Sequence, residues 1–104
     1  MEKKAKRTRT CDLMINYKFG EDKVLKDLSD YIDATYGEHY TNKNNNVQAL
    51  DVFEARGTMG TTCIDNVIKY SMRYGKKDGA NRKDLLKILH YAVLALGYED
   101  KHRE

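Results

Sequence analysis

The stretch NVIKYSMRYGKKDG, Asn66 to Gly79, decides how the chain is read. At a helical rotation of about 100° per residue, Ile64, Val67, Ile68, Ser71, Met72 and Tyr74 fall on one side. Asn66, Lys69 and Arg73 fall on the other, because spacings of three, four and seven repeat one face. Gly75 offers the left-handed backbone that ends a helix, and Lys76 and Lys77 follow where terminal carbonyls favour cations. The pattern predicts an amphipathic helix with its apolar side buried and an amide and several cations projecting together. Fixed cations in one sector suit phosphate, with plain solvation of a polar face as the competing reading.

Working outward from this stretch, Asn81 is placed to cap a last helix. There Leu85, Leu86, Ile88, Leu89, Ala92, Val93 and Leu96 form a wide apolar stripe, and Asp84, Lys87 and Tyr91 share the polar side. Gly97 is expected to end that helix and leave residues 98–104 as a fraying tail. Upstream, residues 47–56 read as a short helix stopped by Gly57. Residues 57–61 read as a turn, with Thr61 or Thr62 capping the central helix. His39 and Tyr40 lead into TNKNNN, an amide-rich loop. Glu21 to Thr35 is predicted helical between Gly20 and Gly37, with Val24, Leu25, Leu28, Tyr31 and Ile32 on one stripe.

Before that, CDLMINYKF alternates apolar and polar residues from Cys11 to Phe19, the pattern of a half-buried strand. It has no second strand to pair with, so it would pair across a symmetric subunit interface. Residues 1–10 read as a disordered basic arm. The fold class expected is therefore mostly α: about four helices with one N-terminal β-strand, forming an oligomer. Residues 11–97 make its single domain.

The 104 residues suit one domain. The net charge of +3 is unevenly placed: residues 1–10 carry +4 and residues 66–87 carry +5, which leaves −6 for the rest. That asymmetry points to an anionic partner, or to one subunit's basic patch against another's acidic face. No apolar run is long enough for a bilayer and no signal-peptide pattern is present, so no membrane partner is expected and the cytoplasm is the default. Cys11 and Cys63 lack the paired spacing of a zinc site and read as free thiols. Eight tyrosines against two phenylalanines suggest rings with a polar tip to satisfy, at an interface or a ligand pocket.

Standard catalytic motifs are missing. RYGKKDG lacks both the spacing and the hydroxyl of a Walker loop, and neither a Gly-x-Ser-x-Gly elbow nor a His-Glu-x-x-His helix occurs. Asp51 and Glu54 stand one helical turn apart, a spacing with which two carboxylates could hold Mg²⁺.

His39-Tyr40, Gln48 and Asp51, Asn66 with Lys69-Tyr70 and Arg73, Lys76 or Lys77, and Asp84, Lys87 and Tyr91 form a further pattern. Over residues 38–96 it resembles the tailed-phage nucleotide-kinase-like family, small relatives of a podoviral deoxynucleotide kinase without a Walker motif. The resemblance implies a phage protein acting in the host bacterial cytoplasm, with ATP or another nucleotide as substrate or ligand. It implies that Lys69, Arg73, Lys76 and Lys77 meet phosphates, and that Asn66, His39, Tyr40 and Asp51 orient a nucleotide or metal. Gln48, Tyr70, Lys87 and Tyr91 belong to the same pattern as ligand-binding positions. His90 departs from it, since an aromatic side chain usually stands near the middle of the family's last helix.

Two functions are expected from this. In the first, a nucleotide kinase, Lys69 and Arg73 neutralise the migrating phosphoryl group while Asp51, with Glu54, holds Mg²⁺. The alternative is a non-catalytic oligomeric sponge that sequesters a cyclic nucleotide or related signal of host anti-phage defence. Nucleic-acid binding through the basic arm plus the central helix ranks below both, because no aromatic platform is interleaved with the cations and no base-reading motif occurs.

Overall fold

Four helices organise the residues that the computed structural model describes, 15–37 and 48–103. They are α1 (Glu21–Thr35), α2 (Ala49–Arg56), α3 (Met59–Arg73) and α4 (Arg82–His102). The chain is thus mostly helical, as its periodicity predicts. Among the described residues there is no strand: residues 15–17 lack regular structure and residues 18–19 form a turn. Cys11 to Met14, the basic arm, His39, Tyr40, the amide-rich loop and Val47 lie outside the described residues.

Local chemistry explains each boundary. Gly20 enters α1 at φ 65°, and its carbonyl accepts from the backbone N–H of Lys23 and Val24 at 2.9 and 3.0 Å. The α2 start is closed by an exchange between Gln48 and Asp51: the Gln48 N–H donates to the Asp51 carboxylate at 3.1 Å, and the Asp51 N–H donates to the Gln48 carbonyl at 2.9 Å. Gly57, at φ 77°, stops α2 and reverses the chain so abruptly that α3 begins at Met59. This corrects the expected turn over residues 57–61. Thr61 does not cap α3 but donates its hydroxyl to the Thr58 carbonyl at 3.2 Å.

The α3–α4 turn depends on left-handed backbone at Gly75 (φ 88°), Asp78 (φ 64°) and Gly79 (φ 65°). It is closed by the Gly75 N–H donating to the Gly79 carbonyl at 2.9 Å. Asn81 then caps α4, its side-chain oxygen accepting from the Lys83 N–H at 2.8 Å. Asn81→Ala is expected to cost about 1 kcal/mol, read as a lower urea midpoint with an unchanged slope.

The final helix does not end at Gly97. It runs to His102, so residues 98–102 are helix rather than tail. A mid-helix glycine costs about 1 kcal/mol, and here the following turn has partners that offset it. Lys101 Nζ and His102 Nε2 both reach Glu54 of α2 at 3.1 Å, and the Tyr98 and His102 rings sit 4.3 Å apart. The His102 and Lys101 donors hold the Glu54 carboxyl below its ordinary range.

Helices α3 and α4 form an antiparallel hairpin, with Tyr70 against Tyr91 at its middle and Arg73 against Asp84 near the turn. The face that α3 turns towards α4 carries Cys63, Val67, Tyr70 and Tyr74, all buried or half-buried. Ile64, Ile68 and Met72, expected in the core, are instead exposed. The polarity of α4 is inverted more fully. Its polar residues Asp84, Lys87 and Tyr91 pack inward, while Leu85, Leu89, Val93 and Leu96 face outward. The α1 helix lies on the opposite flank of α4, through the Tyr31–His90 edge contact at 5.8 Å and the Arg82–Asp27 ion pair at 2.9 Å. Among the described residues the buried apolar side chains are only Leu28, Met59 and Cys63.

Candidate functional site

Three cations from two helices gather on one aromatic ring. Lys69 and Arg73 lie four residues apart on α3, and Lys87 approaches from α4. Lys69 Nζ, Lys87 Nζ and Arg73 Cζ stand 4.7, 5.3 and 5.4 Å from the centroid of the Tyr70 ring. The negative face of a tyrosine ring attracts each of them and partly offsets their mutual repulsion. Tyr91 lies nearly parallel to Tyr70, with ring centroids 6.2 Å apart and planes 12° from parallel.

The acid beside this cluster is Asp84. Its side chain is 2% exposed, and Oδ1 lies 3.5 Å from Arg73 Nε, whose side chain is 33% exposed. Asp84 Oδ2 is buried without a hydrogen-bond partner. Around Tyr70, three cations against this one carboxylate leave a local positive excess.

Behind the cations, Tyr31, His90 and Tyr91 form an aromatic wall. Burial pushes the Tyr31 and Tyr91 hydroxyls above the ordinary phenol value, so both remain neutral donors. Burial likewise lowers the His90 imidazole from its usual value. A histidine with a depressed folded-state value binds protons more readily when unfolded. Its contribution to stability is therefore complete above the unfolded value of about 6.5 and is lost as pH falls below it towards the folded value. The urea midpoint is expected to fall between pH 7 and pH 5, with a smaller fall in His90→Gln.

On the outer side, Lys69, Arg73 and Lys76 border a shallow groove of about 570 Å³ with Asp65, Ile68 and Met72. Lys76 thus joins the cation group. Lys77 sits in the turn, where its backbone N–H donates to the Arg73 carbonyl at 3.2 Å. Asn66 is half-buried, and its side-chain amide donates to the Thr62 carbonyl at 2.9 Å, which commits one of its donors within α3. His39 and Tyr40 fall outside the described residues.

Gln48, Asp51 and Glu54 do not join this group. They line a separate hollow with Gly97, Tyr98 and Lys101, towards the far end of α4. At a rise of 1.5 Å per residue, Lys87 and Lys101 are about 20 Å apart along the helix axis. The Asp51 carboxylate is used at the start of α2, and that of Glu54 is taken by Lys101 and His102. These two acids do not fit a magnesium ion serving the Tyr70 cations of the same chain. Among the described residues, no three His, Cys, Asp or Glu side chains gather as a metal site.

Sequence reasoning placed Asp84 on a polar outer face and so missed its burial. The available signal was its spacing: Asp84, Tyr91 and Tyr98 repeat every seven residues along one side of α4. The α1 stripe likewise predicts only a core position for Tyr31.

Among the described residues, no helix is long and apolar enough to cross a membrane. A family model for proteins of unknown function matches residues 34–93, more than half of the chain, and spans Tyr70 and every cation named around it. No curated protein and no solved structure matches the chain.

Proposed function

The chain belongs to that family, DUF3310, and within the matched segment we propose a binding site for a phosphate-bearing nucleotide. The observation that carries this is the convergence of Lys69, Arg73 and Lys87 on Tyr70. Phosphate oxygens take charge-assisted hydrogen bonds from the three cations, with Lys76 at the outer margin. The half-buried Tyr70 and Tyr91 rings offer apolar contact to a base at their exposed edges. Resemblance to the phage nucleotide-kinase-like proteins supports the same ligand class and a host cytoplasmic setting.

Of the two functions considered, holding a nucleotide fits this geometry better than transferring its phosphate. The acids expected to bring magnesium already have protein partners, half a helix away from the cations. Storage of a nucleotide signal needs the cations and rings alone. Self-association is part of the reading, because the groove on a single chain is too shallow to enclose a nucleotide.

Calorimetric titration with ATP, deoxynucleoside monophosphates, cyclic oligonucleotides and cyclic ADP-ribose derivatives tests the proposal. Saturable binding of at least one, weakened in Lys69→Ala and Lys87→Ala, is the expected result. No binding by any of them would overturn it, as would binding indifferent to both substitutions. Recovery of intact ligand after denaturation indicates storage. A diphosphate formed from ATP and a monophosphate, above the level of a Lys69→Ala control, would instead restore the kinase reading.

A further inference from the structure

Arg73 and Asp84 are both anchored at the backbone, but their side chains differ in freedom. The Arg73 carbonyl accepts from the Lys76 and Lys77 N–H groups at 2.9 and 3.2 Å, just past the end of α3. The Asp84 N–H donates to the Asn81 carbonyl at 3.0 Å, within the capped first turn of α4. A short carboxylate in that turn has few rotamers, whereas an arginine stem is long and flexible. The two side chains meet between the helices, with Asp84 Oδ1 3.5 Å from Arg73 Nε. That contact uses the Nε edge of the guanidinium. Among the described residues, no hydrogen bond engages its terminal nitrogens. Nε itself is buried, so the part of Arg73 that stays exposed lies elsewhere on the side chain. Arg73 also borders the outer groove beside Lys69 and Lys76.

We infer that Asp84 is a positioning residue: it holds Arg73 by the Nε edge and keeps the terminal fork of the guanidinium turned to a phosphate beside Tyr70. The inference rests on the reading of that cluster as a phosphate site, and it gives a role to a residue that does not itself meet the ligand. A planar guanidinium grips two oxygens of one phosphate through parallel N–H groups, and the match is lost when the plane rotates. An unheld arginine would give up its rotamer freedom on gripping the anion, whereas here folding has already removed it. Burial keeps Asp84 from direct contact, since its side chain is only 2% exposed. Stability does not account for the pair. A buried ion pair stabilises when its remaining polar atoms are satisfied, yet Asp84 Oδ2 and Arg73 Nε are both buried without a hydrogen bond. Net charge does not account for it either, because a carboxylate beside Lys69, Arg73 and Lys87 weakens their pull on an arriving phosphate. What the acid supplies is direction.

Two neutral replacements separate direction from charge. Asp84→Asn and Asp84→Leu remove the same negative charge, but asparagine keeps an oxygen that accepts from Arg73 and leucine keeps none. Calorimetric titration of the full chain with ATP and with inorganic pyrophosphate compares the two, first with Arg73 present and then with Arg73→Met added to each. With Arg73 present, Asp84→Asn is expected to bind about 10-fold more tightly than Asp84→Leu, the size of one charge-assisted contact. With Arg73→Met the two should bind equally, because no guanidinium remains to be directed. None of these chains leaves a buried carboxylate unpaired, and circular dichroism with urea denaturation reports their folding. A merely structural acid would move the urea midpoint and leave the affinities of the asparagine and leucine forms alike. Arg73→Lys is a second variant, which keeps the charge and a partner for Asp84 but loses the fork, and it should bind about 10-fold more weakly than wild type. Equal affinities of Asp84→Asn and Asp84→Leu with Arg73 present would overturn the inference and leave the phosphate site standing. So would a difference that persists with Arg73→Met, or an Arg73→Lys chain that binds as wild type does. No binding of either probe by wild type would overturn the inference together with the site.

Discussion

Replacing Arg73 by alanine is expected to remove about 3–5 kcal/mol of folding stability, the larger of the two losses available at the Arg73–Asp84 pair. The asymmetry follows from exposure. Asp84 is 2% exposed and Arg73 is 33% exposed, so the pair is buried at the acid end only. Removing the arginine leaves a buried carboxylate without its ion-pair partner and with no route to water. Removing the acid, as in Asp84→Ala, leaves a guanidinium that can swing outward, and its expected cost is only about 1–3 kcal/mol. Set against a total of about 5–15 kcal/mol for a small domain, the first loss would leave a substantial unfolded population at 37 °C. Urea denaturation of both variants measures the difference. Equal losses would mean that water reaches Asp84 and that the acid does not shape the site.

The second large effect concerns ligand and not fold. Lys69→Ala with Lys87→Ala in one chain is expected to weaken nucleotide binding by about 10²- to 10⁴-fold, since each charge-assisted hydrogen bond contributes about 1.5–3 kcal/mol. Without ligand, the same chain is expected to be as stable as wild type or slightly more so. Lys69, Arg73 and Lys87 repel one another around Tyr70, and what the ring and Asp84 leave uncompensated is offset when an anion arrives. Lost affinity together with retained or raised thermal stability separates a binding role from a structural one. Affinity in wild type should also fall with added salt, and more gently in the double variant.

The sequence was a good guide to where helices lie and a poor one to which way they face. Glu21 to Thr35 was legible residue for residue, as was the Asn81 cap, because both depend on local chemistry that neighbouring residues supply. The inward side of α3 and α4 was not legible. Periodicity reports contrast between two sides of a helix, and the usual step from contrast to burial assumes that the apolar side lies within the same chain. Here Asp84, Lys87 and Tyr91 pack inward while Leu85, Leu89 and Leu96 face outward. Gly97 misled for a different reason. A glycine weakens a helix by a fixed local amount, whereas Glu54, which holds the last turn of α4 past it, is 48 positions away from His102 in the chain. Lys69 and Arg73 were legible as a set from their spacing and Lys87 through the family resemblance, although the convergence of all three on Tyr70 needed the hairpin to be seen.

The hairpin also bears on the order of assembly. Only eight residues separate the end of α3 from the start of α4, so bringing them together costs little loop entropy. Units built from contacts this close in sequence form on the microsecond to millisecond scale. Lys69, Arg73 and Lys87 would then be gathered around Tyr70 before α1 docks, making this cation cluster one of the earliest tertiary features on the pathway. Nucleotide added during refolding should accordingly speed the first phase rather than the last.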